Sequence, residues 1–461
     1  MTQTRLVWLR NDLRITDNPA LQHACRDRAP VVAVVTLVPQ SWQEHGEAPA
    51  RMALWRDQLR AVADTLEQRN IPLKVVNAGH FKHCAARLLE LAQALNADEI
   101  SFNYEYPLNE RLRDQAVCEA FEGVGLSARA FHGELVIPPG QVLTGQGGPY
   151  KVYTPFSRAW LKRLSDFDEP VLPPPAKMEP QAQASDPLPD DLDYRPLSYR
   201  DDLWPVGEVA VSERLQRFVC ESEPDYHRLR DFPARSATSA LSPYLTIGAL
   251  SPRQCMAALR AETGQRDWRE SAWLNELIWR EFYRHLLVAF PGLSKHESFR
   301  PEIEARIQWH PNDAAFAAWC RGETGFPIVD AAMKQLLETG WMHNRLRMVV
   351  ASFLTKLLRV DWRRGADFFM QHLIDGDFAS NAGGWQWSAS VGADAAPYFR
   401  IFNPQAQGEK FDPEGEFVSR WLPELSQVPA GKKRQLPGAG GRAPIIDYRQ
   451  SRQAALDDYN R

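Results

Sequence analysis

The sequence predicts an α/β N-terminal domain, a doubly wound, parallel five-stranded sheet of Rossmann-like type, followed by an all-α C-terminal domain. Three observations carry this reading. Short apolar runs alternate with helical patterns up to residue 132, a proline-rich stretch then breaks the rhythm, and beyond Val209 only helical periodicities remain. Strands that alternate with helices form parallel sheets, because each crossover has to return along a face of the sheet.

The strands are expected at Leu6–Leu9, Val31–Val38, Leu73–Val76, Glu99–Phe102 and Ala128–Phe131. Helical spacing occupies Ala50–Gln68 and Cys84–Leu95 between them. No G-x-G-x-x-G follows the first strand, so the dinucleotide fingerprint is missing from this sheet. Residues 133–208 form an interdomain connector, with nine prolines between Pro170 and Pro205, a composition suited to a surface wrap. Residues 209–461 make the helical domain, ending in a loosely ordered tail with one last helix.

At 461 residues the chain exceeds one ordinary core, and 44% hydrophobic with 24% charged residues fits a globular protein. A net charge of -4 gives no whole-chain attraction to nucleic acid or anionic lipid. Locally, Arg345, Arg347, Lys356, Arg359, Arg363 and Arg364 face only Asp361 in the stretch from Trp341 to Arg364, which raises a positive patch as one reading and a solvated helix face as the other. Six dispersed cysteines without a CxxC pair and eleven histidines without HExxH spacing argue against a disulfide frame or a metal site. The first residues lack an apolar signal segment and no run is long enough to span a bilayer, so a cytoplasmic location and no membrane partner are expected.

Four segments concentrate chemistry. Asp375–Trp387 packs Asp375, Asp377, Asn381, a glycine pair, Trp385 and Trp387 into a short stretch with little aliphatic bulk. On a helix from Trp273, the residues Glu276, Trp279 or Arg280, Tyr283 and Arg284 share one face, while Leu274, Ile278 and Phe282 turn to the core. Asn344 and Met348 stand one turn apart, an amide beside an adaptable thioether, suited to a planar heterocycle. Thr238, Ser239 and Ser242 place hydroxyls just before a helix expected near Pro243, which suits either simple capping or a diphosphate.

Together these segments resemble the DNA photolyase/cryptochrome family, most closely its bacterial class I cyclobutane pyrimidine dimer photolyases. The most specific matches are Trp273–Arg284, Gly340–Met348 and Asp375–Trp387 with its continuation from Ala395 to Pro404. The resemblance implies light-driven repair of pyrimidine dimers in UV-damaged DNA by electron transfer from photoexcited, reduced and anionic FAD, assisted by an antenna chromophore. A signalling blue-light receptor of the cryptochrome kind is the alternative. By similarity Tyr226, Thr238, Ser239, Ser242, Trp273, Arg280, Asn344, Asp375, Asp377 and Asn381 hold the FAD. Glu276, Trp279, Asn344, Met348 and Trp387 form the dimer pocket, with Trp279, Arg345 and Trp387 on DNA; Lys356, Arg363 and Arg364 are further phosphate candidates. Trp385, Trp362 and Trp309 match the electron-feeding chain. His45, Asn109, Glu110 and Lys295 match the antenna site of folate-type members, which points to 5,10-methenyltetrahydrofolate, although Ser294 departs from a cysteine found in a relative; a deazaflavin or another flavin is the alternative antenna. The resemblance implies a monomer without an obligate protein partner.

Overall fold

The computed structural model describes residues 3–27, 29–264 and 266–459. Five strands, β1 (Thr4–Leu9), β2 (Val31–Leu37), β3 (Leu73–Asn77), β4 (Ala97–Asn103) and β5 (Ser127–Phe131), form one sheet in the order β3-β2-β1-β4-β5. Every neighbouring pair is parallel, with Val7 opposite Ala33 on one side and Ser101 on the other. Each residue of β2 is buried, which explains why this strand reads as an uninterrupted apolar run: helices cover both faces of the sheet. The covering helices include Pro49–Glu67, Cys84–Ala94 and Leu108–Glu122. Each expected strand lies within two residues of an observed one, and the predicted fold class is the observed one.

The proline-rich segment has a definite task. The backbone N–H of Asp186 donates to Leu73 O at 2.8 Å, Ser185 Oγ accepts from Leu73 N–H, and the Asp186 carboxylate accepts from Val75 N–H. The segment thereby covers the open side of β3, an edge that otherwise offers unpaired backbone groups to other chains. A chain without regular structure achieves this because one aspartate serves both backbone and Lys74, whose ammonium lies 2.8 Å away.

Two compact units emerge. One comprises residues 1–150, 154–221 and 239–289; the other comprises 151–153, 222–238 and 290–461. The core of the second is helical and aromatic: Trp319, Trp362, Trp385, Phe326 and Phe353 are all buried with Met333 and Val350. Its final helix, Tyr448–Tyr459, is firmly docked, contrary to the loose tail expected. Asp458 pairs with Arg359 at 3.0 Å, and the Tyr459 hydroxyl donates to Ala389 O at 2.6 Å.

Candidate functional site

Helix Ala272–Ala289, in the first unit, separates its residues as apolar periodicity predicts, with two exceptions. Trp273, Leu274, Ile278 and Phe282 are buried, Trp273 edge-on to Phe218 at 4.9 Å. Glu276 and Trp279 remain half-exposed, the indole tilted 5.6 Å from the Tyr283 ring. Arg284 is the first exception: expected on the open face, it is buried and bonded to Glu134. Arg280 binds the same carboxylate at 2.9 Å and the carbonyls of Glu134 and Leu245, so its guanidinium is fixed in place. The second exception is Glu281, which sequence reasoning missed. This buried carboxylate accepts from the backbone N–H groups of Val136 and Ile137 and from Trp160 Nε1 at 2.6 Å, while burial raises its pKa. The signal was available: Glu281 lies beside Leu277 and Ile278 on the apolar stripe. Ser239 Oγ accepts from Leu241 N–H, and Ser242 opens a helix of only five residues, so hydroxyls rather than a strong helix dipole are what this corner offers.

In the second unit, Asp375 is 5% exposed, and both of its oxygens accept from Arg347 Nη2, at 3.0 and 2.8 Å. Arg347 is itself aimed by its Nε bond to Met342 O at 2.8 Å. Asp377 caps helix Phe378–Ser388, accepting from Ser380 N–H at 2.8 Å, a normal use of aspartate at this position. Asn381, one turn in, donates from Nδ2 to Ala366 O at 2.9 Å, which fixes which way its amide points. Ala382 is buried, and Trp387 is half-exposed beyond it. A Cβ added to Gly384 meets nothing within 4 Å, so open space lies against this face of the helix. Asn344 is exposed in the first turn of helix Asn344–Ser352, and Met348 is half-buried one turn later. His343 caps that helix, its Nδ1 accepting from Arg345 N–H at 3.2 Å; burial lowers its pKa to about 4, leaving a neutral ring. Tyr226 is buried in helix Glu223–Leu229, and Thr238 is half-buried.

The three expected relay tryptophans occupy distinct settings. Trp385 is buried, and a Cβ on Gly365 would fall 2.2 Å from its indole, so only glycine fits there. Trp362 is fully buried and donates from Nε1 to Glu304 at 3.2 Å. Trp309 is partly buried. Among the described residues, the rings closest to Trp385 are Phe369 at 5.0 Å and Trp319 at 6.0 Å, and sequence reasoning had given Trp319 no role.

The run of cations is not an open patch. Arg345 pairs with Asp231, Arg347 with Asp375, Arg359 with Asp458, Arg363 with Glu304 and Asp361, and Arg364 with Asp313. Lys356 is 0% exposed, so it does not reach a phosphate as expected; burial, then nearby Arg400, lower its pKa to about 7. Arg345 keeps partial exposure, with its guanidinium 4.5 Å over the Phe411 ring.

Of the expected antenna residues, His45 and Asn109 are brought together in the first unit, with the amide and Nε2 3.0 Å apart. Glu110 is adjacent on helix Leu108–Glu122; burial and the nearby Glu105 charge raise its pKa to about 7, whereas burial lowers that of His45. Lys295 belongs to the second unit, exposed at the end of the turn Pro291–Lys295. The other place where such a sheet binds ligands is the crevice at its strand ends, beside the strand where the order reverses. Here it is filled. Arg10 and Arg113 pair with Asp114, Arg113 also with Glu105 at 2.6 Å, and Asn103 Nδ2 donates to Asp12 at 2.6 Å. A cavity of about 10 Å³, one water at most, remains beside Arg10, Asp12, Asn103 and Glu105.

Among the described residues no helix is long and apolar enough to cross a membrane, and no three metal-ligating side chains gather. Residues 5–179 match the family described as DNA photolyase, and residues 273–461 match the FAD binding domain of DNA photolyase. The chain is 45% identical to the deoxyribodipyrimidine photo-lyase of Salmonella typhimurium, over 99% of this chain and 98% of the relative. It is 44% identical to that of Escherichia coli over the same shares. Among solved structures it resembles a bacterial class III photolyase from Agrobacterium tumefaciens, with a TM-score of 0.86 and 35% identity over 100% of this chain and 98% of the other. A cryptochrome from Synechocystis aligns with a TM-score of 0.85 at 27% identity, over 99% of each chain.

Proposed function

The chain belongs to the DNA photolyase family, and from that premise we propose how its own side chains carry out light-driven repair of cyclobutane pyrimidine dimers in DNA. It is a FAD-binding lyase. The reading rests chiefly on one observation: segment Asp375–Trp387 carries an arginine-held carboxylate, an amide of fixed orientation and two indoles, one buried and one half-exposed.

The residues suit a flavin dinucleotide. Open space at Gly384 leaves room for a ring system beside Asn381 and Asp375, whose amide and carboxylate match the polar edge of a flavin. Tyr226, Thr238, Ser239 and Ser242 are assigned to the ribose and phosphates, and Trp273, Arg280, Asn344 and Asp377 to the remaining edges. When bound and reduced, FAD supplies the photoexcited electron. The protein's part is to hold the dimer and stabilise charge on it. Trp279 and Trp387 provide apolar faces for the bent, saturated rings, and Met348 adapts its thioether to their outline. Glu276 and Asn344 hydrogen-bond the carbonyl and imide edges, where negative charge develops as the cyclobutane bonds open. Taking the lesion out of the base stack costs roughly a few kcal/mol, least for damaged pairs, as is general for base-flipping enzymes, photolyases among them. Arg345 is the remaining candidate for a flanking phosphate. Trp385, Trp362 and Trp309 are assigned to electron supply, Trp362 with its N–H on the Glu304 carboxylate. The protein acts as a monomer.

For the antenna we assign 5,10-methenyltetrahydrofolate to the His45–Asn109–Glu110 group, with Lys295 as a further candidate. The filled strand-end crevice supports a folate over a deazaflavin or second flavin seated there, because Arg10, Arg113 and their carboxylates already occupy that volume. A Glu110 carboxyl near its midpoint at neutral pH suits the mixed donor and acceptor edge of a pterin.

The assignment of Glu276 is tested by Glu276→Ala. The expected variant keeps its flavin absorbance and loses at least about tenfold in repair yield per absorbed photon. Loss of the flavin itself would move Glu276 out of the dimer pocket.

A further inference from the structure

Lys356 is the unusual cation of the helical unit: fully buried, in a widened turn, with no carboxylate partner among the described residues. Helix Asn344–Ser352 continues into a π-turn at Phe353–Leu357, where Leu358 N–H bonds back to Phe353 O. Such turns reposition a side chain relative to an ordinary helix and concentrate at functional places. The Lys356 ammonium points at a single short loop. Its Nζ lies 3.1 Å from Arg400 O and 3.5 Å from both Pro397 O and Tyr398 O. The Tyr459 ring, 5.8 Å from Nζ, is stacked on Tyr398 at 6.0 Å.

The loop so held is otherwise outward-facing. Pro397, Tyr398, Phe399 and Arg400 are all exposed, Phe399 to 61%. It begins where the Trp387 helix ends, with Ala396 N–H donating to Trp387 O at 3.2 Å. Two adjacent exposed aromatics followed by an arginine suit a nucleic acid whose bases are unstacked, because aromatic faces accept any base and a guanidinium accepts a phosphate. An exposed loop with few backbone bonds would ordinarily be mobile and would lose much entropy on binding.

We propose that Lys356 is a positioning residue: by gathering three carbonyls of 397–400 it fixes the loop so that Tyr398, Phe399 and Arg400 present one preformed surface to DNA beside Trp387. The proposal rests on the reading that Trp387 faces the dimer. Burial makes the charged form of Lys356 costly, and in place of a counter-ion its Nζ has only these three carbonyls as acceptors, the one of Arg400 at the shortest distance. A purely apolar core position would be served as well by methionine.

The experiment compares the flavin-loaded wild type with Lys356→Met, Lys356→Arg and Phe399→Ala, using hydrogen exchange and binding to a duplex carrying one thymine dimer. In the wild type, the amides of exposed Arg400 and buried Ile401, bonded to Pro397 O and Phe399 O, should both be protected, and protection at Arg400 is the one that burial does not explain. Lys356→Met should keep its flavin absorbance, exchange these amides at least about tenfold faster and bind the duplex about tenfold more weakly, with a salt slope shallower by about 0.9 for one lost phosphate contact. Lys356→Arg should recover part of the protection and of the affinity. Phe399→Ala, which alters no core contact, should weaken binding about tenfold with exchange unchanged. Unprotected amides in the wild type would overturn the clamp even if Lys356→Met does not fold. Faster exchange with unchanged affinity, or full affinity in Phe399→Ala, would overturn the surface. A wild type that does not distinguish damaged from intact DNA would instead contradict the repair reading, while its exchange pattern still decides the clamp.

Discussion

Two regions set arginine against carboxylate, and they do opposite things with the arrangement. In the strand-end crevice of the sheet, Arg10 and Arg113 pair with Glu105 and Asp114, and the cavity beside Arg10 and Glu105 holds about 10 Å³. In the helical unit, a single arginine holds a single aspartate, Arg347 on Asp375, and the neighbouring helix leaves open space at Gly384. The fold rule for doubly wound sheets says where a ligand crevice forms. Whether it stays available is decided by side chains, and here the protein fills that crevice with its own ion pairs.

Breaking the filled crevice should have the largest effect on stability. Arg113→Met leaves Glu105 and Asp114 buried with one partner fewer, and should destabilise the first unit by about 3–5 kcal/mol in denaturant titration, with flavin absorbance retained in the still-folded protein. Arg347→Met should cost less, about 2–3 kcal/mol, because Arg347 is a quarter exposed, yet it should release most of the flavin. If both substitutions release flavin equally, the contrast between the regions fails. Gly365→Ala tests close packing under Trp385, where the new methyl meets the indole at 2.2 Å; a loss of about 1–3 kcal/mol and a shifted tryptophan emission are expected.

Acid sharpens the comparison further. Burial alone would raise the pKa of Glu105, but Arg113 and Arg10 hold it down to about 2, below an ordinary glutamate at 4.5. A lowered carboxylate pKa stabilises the fold above its unfolded value, and that contribution fades as pH falls from about 4.5 toward 2. Glu105→Gln should flatten that limb of the stability-versus-pH curve. The smallest effect is expected from His45→Ala, which should remove a near-ultraviolet antenna band from the absorption spectrum and leave flavin bands and melting temperature nearly unchanged.

Much of this is legible in the sequence. The strands announce themselves because a sheet covered on both faces admits only apolar runs, as in Val31–Leu37. The dense segment around Asn381 was visible because so many polar and aromatic groups rarely share one turn-rich stretch. What stayed hidden depends on partners far along the chain. For Arg345, Arg347, Arg359, Arg363 and Arg364 the sequence leaves a patch and a solvated face both open and shows neither partner set, because Asp231, Asp375, Asp458, Glu304 and Asp313 are not their helical neighbours at i+3 or i+4. Arg284 was misread for the same reason, since Glu134 lies 150 residues away. The proline-rich connector gave no hint that it would cover β3, because edge protection by single side chains leaves no periodic trace.

The most direct test is repair itself. Purified protein with bound, reduced FAD is mixed with an oligonucleotide carrying a cyclobutane thymine dimer and exposed to blue light, and dimer loss is followed by chromatography against a dark control. Light-dependent return of the dimer to two thymines, with no net change in the flavin's redox state, is the predicted result. Unchanged dimers after illumination of a protein that holds reduced FAD would contradict it.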